Sequence, residues 1–268
     1  MDTILEIKNL SVEYQVGKKI IPALKNVSVS LNRNDSLGII GESGSGKSTL
    51  GLSILDILPK EAKISSGEIL FHNQNIFRLN KKELQNLRGG KISVIFQDPL
   101  SSLNPVIKIS EQLRETLKVH NEDSSDNKIK ELLEMVQLGN FDRIKNSYPH
   151  QLSGGMRQRI MIAQALASRP EILIADEPTT ALDVTIQKEI LELLKKLIKE
   201  FDLTMIFITH NFGIVYDICS RIAVMYNGEI VEEGKTSEIM KIPKHPYTKA
   251  LISVIPKAGQ KVKKFNVI

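Results

Sequence analysis

Gly41-Glu42-Ser43-Gly44-Ser45-Gly46-Lys47-Ser48-Thr49 matches the phosphate-loop pattern G-x-x-x-x-G-K-[ST] at every fixed position. Before it, Ser36-Leu37-Gly38-Ile39-Ile40 reads as a buried strand. After it, Leu50, Ile54, Ile57 and Leu58 keep helical spacing up to Pro59. The glycines therefore stand where a strand turns into a helix, the setting that separates a working phosphate loop from a chance match. Such a loop folds tightly around phosphates, its successive N–H groups point inward, and the helix start adds partial positive charge. Lys47 is placed to reach outer phosphates, and the Ser48 hydroxyl is suited to Mg²⁺. A flexible Gly/Ser loop that binds nothing is the alternative, and the flanking strand and helix argue against it.

The 268 residues are enough for one large domain with a sizeable core. A hydrophobic content of 41% and a charged content of 25% are ordinary for a globular protein. The longest apolar runs, such as Met205-Ile206-Phe207-Ile208, are strand-sized and far short of a bilayer span. Met1 to Glu6 shows no basic start followed by an apolar stretch, so no signal peptide is expected. Cys219 is the single cysteine, which excludes an internal disulfide and suits a reducing compartment. The net charge of +5 is spread among acids, as with Lys195, Lys196 and Lys199 beside Glu192 and Glu200. That reads as a solvated surface rather than a nucleic-acid patch.

Along the chain, Ile4 to Leu10 and Leu24 to Leu31 alternate like half-buried strands, with a turn near Gly17-Lys18-Lys19. Gly67 to Phe71 adds a third strand, so an antiparallel layer is expected against the phosphate-loop unit. Tyr14 lies in this layer, either stacking on a base or only packing. Ile92 to Phe96 is a strand ending at Gln97, whose amide is suited equally to a metal, a water or a turn. Between about 101 and 165 the chain reads as a mostly helical insertion, with Ile129, Leu132, Leu133 and Val136 on one face of a helix closed by Gly139. Asn121 to Asn127 before it reads as an exposed loop. Leu152-Ser153-Gly154-Gly155-Met156 opens a further helix, a second anion site or an ordinary loop.

Ile172 to Ala175 is a buried strand ending in Asp176 and Glu177, either N-caps or, beside a phosphate loop, a metal-holding acid and a water-orienting one. Ile186, Ile190, Leu193, Leu194 and Leu197 mark an amphipathic helix, and Thr204 to Thr209 a strand running into His210. That histidine is either structural or a γ-phosphate sensor. Ile222 to Val231 with Asn227-Gly228 is a hairpin. From about 243 to 268 the tail is short, basic and Pro-containing. The fold class expected is α/β, a P-loop NTPase core with a mostly parallel sheet.

Taken together and in order, these motifs resemble the ATP-binding subunits of ABC transporters over nearly the whole chain. Gln97 is similar to the Q-loop, Leu152 to Met156 to the signature, and Asp176-Glu177 to the Walker B end. Ala181-Leu182-Asp183 resembles the D-loop, His210 the switch histidine and Tyr14 the A-loop aromatic. Gln97 to Pro105 and His245 to Leu251 resemble the oligopeptide/dipeptide/nickel importer group. Met156 stands where glutamine is commonest and Asn211 where aspartate is usual, and the cysteine cluster of many group members is missing.

The resemblance implies one ABC-type domain over 1–268 that binds ATP and Mg²⁺. Tyr14, Gly41, Ser43, Gly44, Ser45, Gly46, Lys47, Ser48, Thr49 and Gln97 would hold the nucleotide, with Ser153, Gly154, Gly155 and Asp183 acting across a head-to-tail dimer. Ser48, Gln97 and Asp176 would order the metal, while Glu177 and His210 serve hydrolysis. The implied partners are a second ATP-binding subunit, two transmembrane permease subunits and, indirectly, an extracytoplasmic solute-binding protein, at the cytoplasmic face of the cell membrane and without nucleic acid. Alternatives are a soluble ABC ATPase acting on nucleic acid or ribosomes, or an exporter's ATPase. Against the DNA-repair type stands an interval of about a hundred residues between phosphate loop and signature, with no sustained heptads.

Overall fold

An antiparallel hairpin opens the chain, β1 (Thr3–Val16) and β2 (Lys19–Asn32). β3 (Ser36–Ile40) leads through the glycine loop into α1 (Lys47–Ile54). β4 (Ala62–Phe71), the two-residue β5 (Gln74–Asn75), α2 (Lys81–Leu87) and β6 (Ile92–Ile95) follow. A helical stretch contains α3 (Ile109–Val119), α4 (Asp126–Met135), α5 (Phe141–Asn146) and α6 (Gly154–Leu166). Strands and helices then alternate through β7 (Ile172–Asp176), α7 (Val184–Glu200), β8 (Thr204–Thr209) and α8 (Phe212–Ile218). β9 (Arg221–Tyr226), β10 (Glu229–Lys235), α9 (Thr236–Lys241) and α10 (Pro246–Ser253) are the last elements of the described residues. The computed structural model describes residues 2–98, 102–180 and 182–253. Among them no helix is long and apolar enough to cross a membrane.

The strands form two sheets. One is antiparallel, in the order β2-β1-β4-β5; the other runs β10-β9-β3-β8-β7-β6 and is parallel except for the β9–β10 hairpin. The α/β class expected from the phosphate loop is thus observed. The parallel sheet is covered on both faces, which is why its strands are continuous apolar runs instead of alternating ones. Pleating sends Met205 and Phe207 of β8 into one apolar cluster and Ile206 and Ile208 into another. β7 divides the same way, Leu173 and Ala175 against Ile172 and Ile174.

The first cluster takes in Leu113, Ile129, Leu133, Ile160 and Ile162 of the helical stretch, together with Ile190 and Leu194 of α7. The second takes in Leu50 and Ile54 of α1 and Leu5, Ile7, Leu10 and Leu24 of the first hairpin. So α1 and α6 pack on opposite faces of one sheet.

Several boundaries differ from the sequence reading. α1 stops at Ile54 and the chain turns through Asp56 at φ 51°, not at Pro59. Ile57 and Leu58 keep their apolar spacing because they pack on the second cluster from a non-helical segment. Gln137, at φ 59°, is the left-handed residue after α4, a place assigned from sequence to Gly139. The polar stretch before α4 is shorter than expected: the Ser125 hydroxyl caps the helix by accepting from the Lys128 amide, and Asp126 and Asn127 are already helical. The tail forms α10 at Pro246–Ser253, and its residues 254–268 lie outside the described residues.

Candidate active site

The loop between β3 and α1 is a nest of backbone amides. Gly44 and Gly46 adopt φ 81° and 103°, a left-handed backbone that turns successive N–H groups inward. A Cβ on Gly46 would also stand 2.5 Å from the Ala23 carbonyl oxygen, so no side chain fits there. From outside, the Asn227-Gly228 turn supports the loop, the Gly228 amide donating to the Ser45 carbonyl at 3.1 Å. Glu42, Ser43, Gly44 and Ser48 are exposed at the mouth, whereas Lys47 is buried. Its Nζ donates to the carbonyls of Gly41 at 2.9 Å and Glu42 at 2.7 Å. Burial pulls the Lys47 ammonium below its ordinary range, against the opposing charges of Glu177, Asp176 and Glu42. A desolvated cation ringed by amide donors is what a polyphosphate anion would meet.

β7 ends beside this loop. Burial pushes the Asp176 carboxyl above its usual range; a hydrogen bond from Ser48 opposes this, the Glu177 charge adds to it, and the Lys47 charge opposes it. Asp176 Oδ1 is buried with no hydrogen-bond partner among the described residues. An orphaned carboxylate oxygen next to a hydroxyl is a hard donor set that fits Mg²⁺, an ion held by one or two carboxylates together with substrate phosphates.

Glu177 is arranged differently. It sits at φ 45°, and its amide donates to the Ile208 carbonyl at 2.9 Å. His210 Nδ1 lies 3.1 Å from Oε1, while the Thr180 hydroxyl at 2.9 Å and the Gln97 amide nitrogen at 3.3 Å donate to Oε2. Burial raises the Glu177 carboxyl, but the hydrogen bonds from His210 and Thr180 and the charges of His210 and Lys47 outweigh it, leaving the group below its usual range. Thr180 was missed in the sequence; its only signal there is a hydroxyl three residues beyond the acid. Asn211 caps α8, its side chain accepting from the Gly213 amide at 2.9 Å, which supports the backbone behind His210. Tyr14 stands on β1 with its hydroxyl 3.3 Å from Thr49 Oγ1, over the start of α1.

The remaining sequence-selected residues are elsewhere. Ser153 caps α6 by accepting from the Met156 amide, and a Cβ on Gly155 would meet Ile186 Cγ2 at 2.7 Å. Gly154 faces Leu182, and Asp183 caps α7 through the amides of Thr185 and Ile186. These residues form one junction of α6 with α7, on the sheet face opposite α1. Pro99, Leu100 and Ser101 of the segment after Gln97, and Ala181 next to Leu182, lie outside the described residues.

Residues 24–180 match the family described as ABC transporter, and residues 231–268 the one described as oligopeptide/dipeptide transporter, C-terminal region. The oligopeptide transport ATP-binding protein OppD of Bacillus subtilis is 45% identical over 257 residues, covering 94% of this chain and 72% of its own. The glutathione import ATP-binding protein GsiA of Escherichia coli is 42% identical over 265 residues, 96% of this chain but 42% of its own. Among solved structures, the dimeric ATP-binding cassette MJ0796 bound to ADP and Pi has a TM-score of 0.76 at 34% identity, covering 87% of this chain and 98% of that one. The chain belongs to the ABC transporter family, as an ATP-binding and ATP-hydrolysing subunit that powers solute import.

Proposed function

We propose that this subunit drives import of a peptide-class solute from the cytoplasmic face of the cell membrane, coupled to two permease subunits and served by an extracytoplasmic binding protein. The tail match and the oligopeptide, dipeptide and glutathione transport names of its relatives support the solute class. The whole chain, 1–268, acts as one ABC-type domain with a helical subdomain at about 101–165 and a tail at about 243–268. Its partner is a second ATP-binding subunit, identical or a sister, packed head to tail.

The observation that carries this reading is that the site is in two separate parts. Lys47, Ser48, Asp176, Glu177 and His210 gather just beyond the carboxyl ends of β3, β7 and β8, whereas Ser153, Gly154, Gly155 and Asp183 stand at the starts of α6 and α7, which pack on the sheet face opposite α1. A sandwich of two chains brings each phosphate loop to the other's signature. Loop amides from Ser43 to Thr49 and the Lys47 ammonium bind the phosphates, and the Tyr14 ring stacks on adenine. Ser48, Asp176 and the Gln97 amide oxygen would hold Mg²⁺, which supplies charge neutralisation on the phosphates. Glu177 orients the attacking water, whose oxygen bonds to the γ-phosphorus as the bond to the β–γ bridging oxygen breaks, giving ADP and phosphate. With Nδ1 on Glu177, His210 has Nε2 left for the γ-phosphate, while Ser153 and Gly155 donate from across the interface.

Glu177→Gln tests the assignment. Hydrolysis by the assembled complex should fall at least about a hundredfold, as on loss of a water-activating carboxylate. ATP binding should persist, since the amide keeps the shape and removes a negative charge near the triphosphate. Hydrolysis at the parent rate, with the partner's site accounted for, would show that another group orients the water.

A further inference from the structure

The C-terminal helix reaches the nucleotide loop. Its entry is pinned by Glu232 of β10, whose carboxylate accepts from the amides of Lys244 at 2.8 Å and His245 at 3.0 Å. On the first turn of α10 the Tyr247 ring lies 4.2 Å from the Tyr226 ring, tilted by 36°. Tyr226 ends β9, just before the Asn227-Gly228 turn that supports Ser45. From this half-buried position the Tyr247 hydroxyl accepts a hydrogen bond from the Glu42 amide at 3.1 Å.

The Glu42 amide and the Gly41 carbonyl belong to one peptide group. That carbonyl accepts from Lys47 Nζ at 2.9 Å. One planar peptide is therefore held at both ends, by the phosphate-binding lysine on one side and by the C-terminal helix on the other. When Lys47 exchanges the loop carbonyls for phosphate oxygens, the first tether is released. Gly41 offers little resistance to rotation of the peptide plane. The second tether then decides whether the loop keeps its shape.

We propose that Tyr247 is a positioning residue for ATP: its hydroxyl fixes the Gly41–Glu42 peptide while Lys47 moves to the phosphates, so that the C-terminal helix sets part of the nucleotide affinity. This rests on Gly41 to Thr49 being the phosphate site. The contact holds the loop in the bound state as well as during hydrolysis, so its loss acts on KM and leaves kcat in place.

The test is Tyr247→Phe in the full chain, which keeps the ring on Tyr226 and removes only the acceptor. The Kd of a fluorescent ATP analogue should rise about fivefold, the effect of one net hydrogen bond. The kcat of the assembled complex should stay within about twofold, and the nucleotide-free melting temperature should fall by no more than about 4 °C, because the same hydrogen bond is present without nucleotide. Lys47→Ala serves as the reference. If Lys47→Ala binds like the parent, the phosphate-site assignment fails and the proposal goes with it. If Lys47→Ala loses binding while Tyr247→Phe stays within about 1.5-fold of the parent, the proposal alone is overturned. A Kd rise that comes with a fall in melting temperature well beyond about 4 °C marks a structural role and also overturns it.

Discussion

Asp176 and Glu177 are neighbours in the chain whose carboxyls shift in opposite directions, so their pH linkage has opposite signs. Glu177 is held low; its contribution to stability is full above the ordinary glutamate value of about 4.3 and is lost as pH falls through its folded value. Asp176 is held high; its contribution is full below the ordinary aspartate value of about 3.9 and is lost as pH rises through its folded value. Above the ordinary aspartate value the buried Asp176 carboxyl therefore costs stability. Asp176→Asn should abolish hydrolysis yet raise the nucleotide-free melting temperature at pH 7, the gain shrinking as pH falls toward the ordinary aspartate value. Calorimetry across that range checks it, and a lower melting temperature at pH 7 would contradict the sign. Tyr14 offers both a ring and a hydroxyl at the start of α1. The 3.3 Å contact with Thr49 is weak, so Tyr14→Phe should weaken ATP and ADP by less than about threefold, and Tyr14→Ala by clearly more. Equal losses in a nucleotide titration would assign the role to the hydroxyl or to folding.

At the scale of elements, the junction of α6 with the first turn of α7 is built on a missing Cβ. A methyl on Gly155 would stand 2.7 Å from Ile186 Cγ2, an atom near the backbone that cannot swing away cheaply. Gly155→Ala should cost about 1–3 kcal/mol by urea unfolding. Adding Ile186→Ala should recover part of that cost, a non-additivity expected of residues in contact; strict additivity would mean that the helices separate instead of clashing. Neither the contact nor its partner is visible in Leu152 to Met156 read alone. What was legible were features carried by adjacent residues: β8, the Asn227-Gly228 turn, the phosphate loop, and the acids and histidine at strand ends. The first hairpin was longer than its alternation suggested because register shifts along β1, near Asn9 at φ 49°, interrupt the period of two. Tyr247 escaped notice as a loop contact because its partner lies 205 residues earlier. Short motifs encode the chemistry, whereas packing against distant segments encodes how the chemistry is held.

For the whole molecule, the parallel sheet is both core and partition. Its alternating side chains feed two apolar clusters, and with them the chain sends α1 to one face and α6 to the other. On the proposed reading, the two halves of an ABC site are built into one chain without meeting in it. Ser153 and Asp183 spend their side-chain oxygens on capping α6 and α7, which keeps those helix starts ordered. A variant of Ser153 separates the two halves experimentally, whether the partner is another copy or a sister subunit. Ser153→Arg should leave fluorescent-ATP binding by the isolated chain within about 1.5-fold of the parent, because this chain's own phosphate loop is untouched. Loss of the cap costs only about 1 kcal/mol, too little to unfold the domain. In the assembled complex the same variant should cut ATP hydrolysis by about twofold or more, because the arginine enters the site completed by the partner's phosphate loop. Lys47→Ala should do the reverse in the binding assay, losing the nucleotide in the isolated chain. If Ser153→Arg weakened ATP binding by the isolated chain as much as Lys47→Ala does, Ser153 would belong to its own chain's site, and the division of labour across the sheet would be wrong.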